Sequence, residues 1–428
     1  MAYGIISAFR GIRYQLAESR DLSSRLTPPY DVIGDTLREQ LYARDEHNFV
    51  RVELPRPSGP ETEDSNRYTQ AATTLEGWLT RGVMARDERP AFYALEQEFE
   101  IEGKAWRRRG VFAALRLPEE GERYVLSHEG TMAGPKADRL KLMQACATMT
   151  SPIMVMSEDA DSRLLSGLRG IEGDPDASAV DDEGVVHRLW VVNADEEVEA
   201  ICAAIGAGPL FIADGHHRFE TAVTCRDRMR ALAPDAPRNA GFKYALALVT
   251  SAQDEALKIL PTHRLVSGLR ARGIELMKRR INDWCTVEEI ALGQGLAPAM
   301  AALVNAAPPG SNVFVAAFPD KRWRALTVRR EKVISSATDV SVLHEQLFDP
   351  VLAEAGEEAK VAFVHDERAM AEAVERGECD FAFFLRPASV RGVLRAARAG
   401  EHMPQKSTFF YPKAPAGLVM SSFSAEPV

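Results

Sequence analysis

Two patterns of hydrophobic and polar positions recur along the chain, and together they predict a mixture of helices and strands. Apolar residues return with helical spacing over residues 66–86, which indicates an amphipathic helix. The apolar run at 208–213 and the very apolar stretch 242–250 are typical of buried strands, and the second is expected to lie centrally in a sheet. A helix is also predicted from His216 to Leu232. Its inner face is predicted to carry Phe219, Ala222, Val223 and Met229.

Shorter stretches of the same two patterns predict the remaining elements. The predicted strands are 5–9, 91–101, 109–117, 151–156, 185–192, 312–318, 323–328, 361–364 and 381–385. The predicted helices are 35–44, 136–149 and 366–376, with 266–304 mostly helical. Strands 91–101 and 109–117 are expected to form an antiparallel pair. The acidic, Gly-rich stretch 157–185 is predicted to be a variable surface segment.

The length of the chain and a change of composition near residue 265 predict two regions. A chain of 428 residues is longer than one typical hydrophobic core supports. Beyond that point the sequence is first mostly helical and then alternates short strands with helices. Residues 1–265 and 266–428 are therefore predicted as separate regions of an α/β (α+β) protein, and the second is predicted to be an α/β unit.

Charge argues against nucleic acid as a partner. The formal net charge is −10, and an acidic surface repels phosphates, whose binding needs clustered Lys and Arg. The short basic clusters at 107–109 and 278–280 are interpreted as solvated faces or helix ends. A DNA clamp is therefore not expected, and the predicted partner is a small molecule.

Cysteine spacing and apolar runs point to the cytoplasm. The five cysteines are far apart and form no C-x-x-C pair, so they are expected to be reduced and mostly buried. No signal peptide is visible at the N-terminus. The longest apolar run, 200–213, is broken by Gly and Pro and is shorter than a membrane span requires.

The strongest functional signal is the run Asp214-Gly215-His216-His217-Arg218, where a predicted strand turns into a predicted helix. The first N–H groups of a helix lack internal partners and carry the positive end of its dipole, so this terminus suits an anion. Gly215 would allow a ligand close to the backbone, and Arg218 could hold a phosphate through two parallel hydrogen bonds. Cations at a helix N-terminus oppose the dipole, which favours a bound anion there.

Two alternatives compete for the same run. Asp214 could be only an N-cap, with the histidines as ordinary surface residues. Zinc bound by His216 and His217 is a weaker alternative, because adjacent helical residues point about 100° apart. No H-E-x-x-H motif or nearby cysteine supports zinc, so no metal ligand is assigned.

A second polar cluster combines the stretch 127–131 with the start of a helix. Its candidate residues are Ser127, His128 and Glu129, in a run that continues to Thr131, followed by Lys136, Asp138 and Arg139. Neighbours in a strand face opposite ways and no G-x-S-x-G elbow exists, so a Ser-His-Glu hydrolase triad is not supported. An exposed loop with a charged helix start is the plain alternative.

Three further stretches carry candidate chemistry, each with an ordinary structural alternative. Pro28 and Pro29 are expected to hold the chain extended and to present Tyr30 and Asp31, where a carboxylate suits a general base or a magnesium ligand. Near the C-terminus the candidates are Lys406, Ser407, Thr408 and Lys413, and no P-loop is present. His263 and Arg264 could reach a pocket or merely mark a domain boundary.

These stretches together resemble a family of bacteria and archaea catalogued as domain of unknown function 1015. The matching pieces are 28–33, 127–131, 136–140, 151–153, 212–222, 261–264 and 403–418. They run from near one end of the chain to the other. The Asp-Gly-His-His-Arg core with its Glu-Thr-Ala continuation is specific, and the other pieces are strong in this order.

A looser resemblance carries a function. The loop at 214–218 is similar to the phosphate-handling loop of the ParB/sulfiredoxin-like superfamily, which includes nucleotide-binding ParB proteins and free serine kinases with an Asp-Gly-His-Thr-Arg loop. The resemblance implies a mixed-sheet, phosphate-handling region in 1–265 and a C-terminal segment that returns to the site. His217 stands where those kinases have Thr. Only Asp214, Gly215, His216 and Arg218 transfer residue by residue.

The implied activity is phosphoryl transfer to a small hydroxyl metabolite such as free L-serine, with ATP, ADP or pyrophosphate as donor and Mg²⁺ as cofactor. Residues 215–218 with Lys406, Ser407 and Thr408 would hold phosphates. Asp214 would orient the acceptor or Mg²⁺, and Asp31 or Glu129 would accept the proton. The remaining candidates would contact substrate. A sensor that binds a nucleotide or phosphometabolite without turnover, and a small-molecule phosphatase, are the alternatives.

Overall fold

The computed structural model describes residues 4–16, 20–57, 59, 61–62, 64–130, 133–206, 208–293, 295–332, 338–355 and 359–428. Thr131 of the second polar cluster lies outside these residues. No helix in the described ranges has both the length and the apolarity that crossing a membrane requires.

The chain forms two compact units. Unit 1 comprises Met1–Ser127, Thr131–Lys258 and Phe410–Val428, and unit 2 comprises His128–Gly130 and Ile259–Phe409. These units assign residues 128–130, 259–265 and 410–428 differently from the predicted regions 1–265 and 266–428, which stay a prediction about domains.

Unit 1 contains most of the strands and seven α-helices among its described residues. Its strands are β1 Ile6–Ser7, β2 Ile12–Tyr14, β3 Met84–Arg86, β4 Phe92–Ile101, β5 Lys104–Arg116, β6 Val125–Leu126, β7 Thr148–Met149, β8 Ile153–Ser157, β9 Ala177–Val180, β10 Val186–Val192, β11 Leu210–Asp214, β12 Tyr244–Ser251 and, near the C-terminus, Ser421–Ser422. Its helices are α1 Asp35–Arg44, α2 Val50–Glu53, α3 Arg67–Thr80, α4 Ala133–Cys146, α5 Arg163–Arg169, α6 Asp195–Ile205 and α7 His216–Leu232, with 3-10 turns at Tyr30–Val32 and Gly241–Lys243.

A large mixed sheet organises unit 1 and confirms the predicted α/β class. Its path runs β6-β11-β8-β12-β5-β4-β10-β9, with β1 added beside β5. β11 pairs parallel with β6 and β12 parallel with β8, while β4, β5 and β10 form an antiparallel ribbon. Every residue of β12 is buried, as its very apolar sequence predicts for a central strand.

Several sequence predictions for unit 1 need correction. The predicted helix 66–86 ends at Thr80, and Met84–Arg86 is a strand, because Gly82 takes a left-handed φ of 72° between them. The predicted surface segment 157–185 contains α5, whose three leucines are buried, and β9, whose alternate alanines are buried. The helix predicted over 136–149 ends at Cys146.

The proline-rich stretch before Tyr30 also differs from its prediction. Pro29 is extended, as proline favours, but Tyr30–Val32 then forms one 3-10 turn with Pro29 as its N-cap residue. Proline restricts the residue before it and is tolerated at the start of a helical turn, which accounts for the difference.

Unit 2 is an α/β unit with one six-stranded antiparallel sheet. Across the sheet the strands are Cys285–Glu289, Trp323–Val328, Val313–Ala317, Phe381–Phe384, His263–Ser267 and Lys360–Val364. Its helices are α8 Ala271–Trp284, α9 Leu296–Ala306, α10 Asp339–Val342, α11 Asp349–Ala355, α12 Glu367–Arg376 and α13 Val390–Ala399, with a π-helical turn Leu343–Phe348 and a 3-10 turn Arg330–Lys332. Two short strands, Lys258–Leu260 and Phe409–Tyr411, lie where the chain passes from one unit to the other.

Alternation along the strands of unit 2 gives the sheet two buried faces. Phe314 and Ala316 belong to one hydrophobic cluster, and Val313, Val315 and Ala317 belong to the other. α8 contributes Met277 to the first cluster and α9 contributes Met300 to the second. The segment 285–289 lies within the stretch predicted as mostly helical, and it is a strand at the sheet edge.

Candidate functional site

The junction of β11 and α7 in unit 1 is built around a carboxylate shared by two cations. Lys413 Nζ donates to one carboxylate oxygen of Asp214, and an Nη of Arg218 donates to the other. The Asp214, Lys413 and Arg218 side chains are 17%, 13% and 7% exposed. Two cations and one carboxylate thus stand at the N-terminal end of a 17-residue helix.

Local backbone features aim Asp214 at this position. The pairing of β11 with β8 shifts register between Ile212 and Asp214, and such an irregularity re-aims a side chain at a strand end. Gly215 then adopts a left-handed φ of 87° and starts α7 without a side-chain cap. A Cβ on Gly215 would meet Ile153 Cγ2 at 2.8 Å and Arg218 Nε at 2.9 Å. Gly215 therefore leaves room for the Arg218 side chain.

The two cations keep Asp214 ionised. Burial would raise the pKa of this carboxyl, but Lys413 and Arg218 outweigh that effect and hold the pKa well below its ordinary value. His216 acts in the same direction and is buried, while His217 is half-buried. Asp214 is therefore an anionic bridge between cations at neutral pH.

Arg218 is held inside unit 1. One Nη donates to the carbonyl oxygen of Pro152 and the other to Asp214. In this structure both Nη groups bond to protein atoms. The predicted bidentate binding of a phosphate by Arg218 therefore stays a prediction. α7 buries this residue together with Thr221, Ala222, Cys225 and Arg226, whereas the predicted inner residues Phe219, Val223 and Met229 are half-buried. The predicted inner face is nevertheless confirmed, because Phe219, Val223 and Met229 pack against the hydrophobic core to which Ala222 belongs.

Tyr30 lies within the electrostatic reach of this centre. The guanidinium of Arg139 lies over the Tyr30 ring at 4.1 Å from its centroid. Burial raises the pKa of Tyr30 to about 12, with Arg218 acting against the shift and Asp31 adding to it. The phenol is therefore neutral at physiological pH. Asp31 itself is exposed, and its charge also reaches Arg218.

Glu53 is a buried carboxylate that sequence analysis missed. Its side chain is fully buried and accepts hydrogen bonds from Thr150 Oγ1 at 2.6 Å and Ser151 Oγ at 3.0 Å. Arg139 lies 3.5 Å from the same carboxylate and donates to the Glu53 carbonyl at 2.9 Å. A lone acid between the apolar residues Val52 and Leu54 was the available signal. Glu53 thus fixes the cation that covers Tyr30.

The predicted residues on α4 hold helices together. Lys136 pairs with Glu220 of α7 at 2.8 Å, and Asp138 accepts from Tyr68 of α3 at 2.8 Å. Asp138 also accepts from Arg139. Ser127 follows β6 and is half-buried. A substrate-binding role for these residues stays a prediction.

Arg108 corrects the interpretation of the basic cluster 107–109 as a solvated face. It lies on β5 and is 2% exposed, and it donates to the carbonyl oxygens of Tyr411 at 3.2 Å and Pro412 at 2.5 Å. Burial lowers the pKa of Arg108 to about 10, with Asp254 and Asp214 acting against that shift. It therefore stays charged, next to the backbone that carries Lys413. Successive residues of a strand face opposite ways, so one of three arginines there had to face inward.

A separate group of the predicted residues meets within unit 2. His128 Nε2 lies 3.0 Å from Thr408 Oγ1, and a Glu129 carboxylate oxygen accepts from the Lys406 backbone N–H at 3.1 Å. Ser407 Oγ donates to the Pro404 carbonyl. The stretch 128–129 and the stretch 406–408 are therefore neighbours, although 280 positions separate His128 from Thr408.

His263 and Arg264 are internal supports of the unit 2 sheet. His263 is 1% exposed, accepts from the Leu385 N–H at 3.1 Å and stacks on Phe384 with centroids 4.1 Å apart. Burial lowers the pKa of His263 to about 3, so the ring is neutral. Arg264 is fully buried and donates to the carbonyl of Thr262 at 2.5 Å and of Lys406 at 3.0 Å. Both side chains have the contacts of structural residues, and their substrate-binding role stays a prediction.

The structure therefore brings some of the predicted residues together within each unit. Unit 1 joins Asp214, Gly215, His216, Arg218 and Lys413, with Tyr30 and Asp31 in electrostatic reach. Across the described ranges, no group of three or more His, Cys, Asp or Glu side chains could hold a metal ion. All five cysteines are free, but only Cys225 and Cys285 are buried, which corrects the expectation of mostly buried thiols.

Comparison with known families gives one match over most of the chain. Residues 6–351 match the family described as "Protein of unknown function (DUF1015)". No curated protein matches the chain.

Solved structures give weak similarities. A conserved hypothetical protein from Pyrococcus furiosus has 16% identity and a TM-score of 0.38, covering 73% of this chain and 94% of its own. A free serine kinase in complex with AMP has 14% identity and a TM-score of 0.37, covering 70% and 86%. A mutant free serine kinase in complex with ADP has 13% identity and a TM-score of 0.38, covering 70% and 87%. With TM-scores this low, the similarities assign no role to any residue of this chain.

Proposed function

The chain belongs to the DUF1015 family, whose description names no activity, and we propose from its own residues that it transfers a phosphoryl group to a small hydroxyl metabolite. Free L-serine is the proposed acceptor, and ATP, ADP or pyrophosphate is the proposed donor.

The observation that carries this proposal is the convergence of Lys413 and Arg218 on Asp214 at the start of α7. The helix begins at a glycine without a side-chain cap, so the positive end of its dipole adds to the two cations. Such a centre favours an anion with several oxygens, as a phosphate has.

Phosphoryl transfer requires mainly positioning and charge stabilisation, which this centre can supply. In the proposed step the hydroxyl oxygen of the acceptor attacks the terminal phosphorus, and the bond from phosphorus to the leaving phosphate oxygen breaks. Lys413 and the first N–H groups of α7 stabilise the charge on the phosphate oxygens. Asp31 accepts the hydroxyl proton, and the neutral phenol of Tyr30 orients the acceptor.

The proposal gives Asp214 a different task from the predicted one. Both of its oxygens bond to cations, so it fixes Lys413 and Arg218 in place. Mg²⁺ commonly binds through one or two carboxylates together with the phosphates of a substrate, so it would enter with the donor, and no step is assigned to the metal.

Phosphorus NMR of the purified protein with L-serine tests the activity. ATP, ADP and pyrophosphate are offered in separate tubes containing Mg²⁺, and a phosphoserine signal in one of them is expected. Asp31→Asn should lower the rate of its formation by about 10²-fold or more, because proton transfer then lacks its acceptor. Asp35→Asn, an equally exposed acid at the start of α1, is the matched control and should leave the rate unchanged.

Absence of phosphoserine in all three tubes would contradict serine as acceptor. If phosphate binding persisted without any product, the sensor alternative would replace the proposal. Release of inorganic phosphate without serine phosphorylation would instead indicate the phosphatase alternative.

A further inference from the structure

Three buried polar side chains lie in one row across the antiparallel ribbon of unit 1. His187 on β10 is in register with Gln97 on β4, and Gln97 is in register with Arg108 on β5. Residues in register share one face of a sheet, and these three are only 1–2% exposed. Burying three polar groups is costly unless each is hydrogen-bonded, so their partners matter.

The partners of this row are consecutive carbonyl groups of the C-terminal segment. Arg108 donates to Tyr411 O and Pro412 O, and Gln97 Nε2 donates to Lys413 O at 3.0 Å. Three backbone acceptors in succession are thus held by two side chains. The third of them belongs to the lysine whose ammonium group bonds to Asp214.

Donor and acceptor chemistry fixes the orientation of every group in the row. Arginine can only donate, so the oxygen of the Gln97 amide must face Arg108. The amide nitrogen then donates to Lys413 O and to His187 Nδ1, which lies 3.3 Å away. His187 Nδ1 must therefore be unprotonated, and its Nε2–H donates to Asp181 Oδ2 at 2.9 Å.

We propose that His187, Gln97 and Arg108 are positioning residues that set the Lys413 ammonium group on Asp214. His187 orients the Gln97 amide, and the amide and Arg108 fix the backbone at 411–413. The value of this placement for phosphate binding rests on the proposed function, but the placement itself can be measured without it.

Competitive acetylation of lysines in the full chain, followed by mass spectrometry, measures the placement directly. Lys413 should react slowly because its ammonium group is ion-paired and only 13% exposed. Gln97→Glu keeps the size of the side chain and an oxygen for Arg108 but removes the donor to Lys413 O. We expect it to raise the acetylation rate of Lys413 by about tenfold, which corresponds to about 1.4 kcal/mol of lost interaction.

Two substitutions of His187 distinguish a loss of positioning from a general loss of stability. His187→Asn can place an oxygen near the former Nδ1 and should keep the Lys413 rate close to that of the wild type. His187→Leu removes that acceptor and should raise the rate as Gln97→Glu does. Rates at Lys104 and Lys321, both exposed, should not change in any variant. Unchanged Lys413 reactivity in Gln97→Glu and His187→Leu would overturn the inference.

Pyrophosphate binding then distinguishes this inference from the proposed function. If both hold, Gln97→Glu and Lys413→Ala each weaken pyrophosphate binding by about tenfold. If Lys413 is released in Gln97→Glu but Lys413→Ala binds pyrophosphate normally, the positioning stands and the phosphate role of Lys413 fails. If Lys413→Ala weakens binding and Gln97→Glu does not, the positioning inference fails.

Discussion

At Gly215 two independent constraints exclude a side chain. Its φ of 87° is a left-handed conformation, and a Cβ would lie 2.8 Å from Ile153 Cγ2. The Asp-Gly pair and the strand-to-helix turn were predictable from sequence, because turn chemistry is local. The reason for the glycine was not, since it depends on where the Arg218 side chain folds back.

Substituting Gly215 with Ala should therefore destabilise unit 1 more than the conformation alone requires. The left-handed backbone costs about 1–2 kcal/mol for a residue with a Cβ, and the crowded Cβ adds about 1–3 kcal/mol. Gly184→Ala is the matched control, because its φ is 79° and no atom lies within 4 Å of the added Cβ. Urea unfolding should show a larger loss of unfolding free energy for Gly215→Ala than for Gly184→Ala. Equal losses in the two variants would show that the space around Gly215 is unimportant.

Residues separated by long stretches of chain were the least predictable part of the site. Asp214 and Lys413 are 199 positions apart, and no periodic pattern in the sequence links them. Lys413 is a candidate from the lysines and hydroxyls near the C-terminus, but the sequence does not show its pairing with Asp214. Glu53, Gln97 and His187 were missed because each has a hydrogen-bond partner that lies far away along the chain, where the sequence does not show it.

At the scale of elements, prediction succeeded where the pattern is long and regular. α1 and α7 have the predicted bounds, and Trp323–Val328 matches its predicted strand. Predictions failed at short elements, such as β3, α5 and the turn at Tyr30–Val32, whose few residues are stabilised by tertiary packing. His263 and Arg264, for which the sequence leaves open a pocket or a domain boundary, are buried inside unit 2, and their substrate-binding role stays a prediction.

Acid should weaken unit 2 through two of its histidines, His263 and His344. The pKa of His263 is lowered to about 3 and that of His344 to about 4, chiefly by burial. The unfolded chain then binds more protons than the folded one below the ordinary histidine pKa near 6.5. Stability is therefore complete above that pH and is lost as the pH falls toward 3.

His263→Asn should reduce this pH dependence, because the amide oxygen can still accept from Leu385 but does not titrate. Between about pH 7.5 and pH 5 the wild type should lose about 2 kcal/mol more of its unfolding free energy than the variant. His402→Asn, at an exposed position, is the control and should follow the wild type. If the unfolding free energies of His263→Asn and the wild type changed in parallel with pH, His263 would not be buried in its neutral form.

At the scale of the whole molecule, sequence established the α/β class and the family, while the division into units depends on packing. Residues 410–428 belong with unit 1 although they follow all of unit 2 in the chain. Composition and charge led to the expectations of a small-molecule partner, no nucleic acid and a cytoplasmic location, and these stay predictions. The net charge of −10 makes a local cationic centre around Asp214 a marked exception to the average surface.

The most direct test of the central claim is calorimetric titration of pyrophosphate into the wild type and two lysine variants. We predict that Lys413→Ala weakens binding by about tenfold or more, because a charge-assisted contact at the start of α7 is lost. Lys104→Ala removes the same charge from the exposed hairpin of β4 and β5 and should leave affinity unchanged. Equal affinity for pyrophosphate in Lys413→Ala and the wild type would contradict the assignment of the Asp214 centre as the phosphate site.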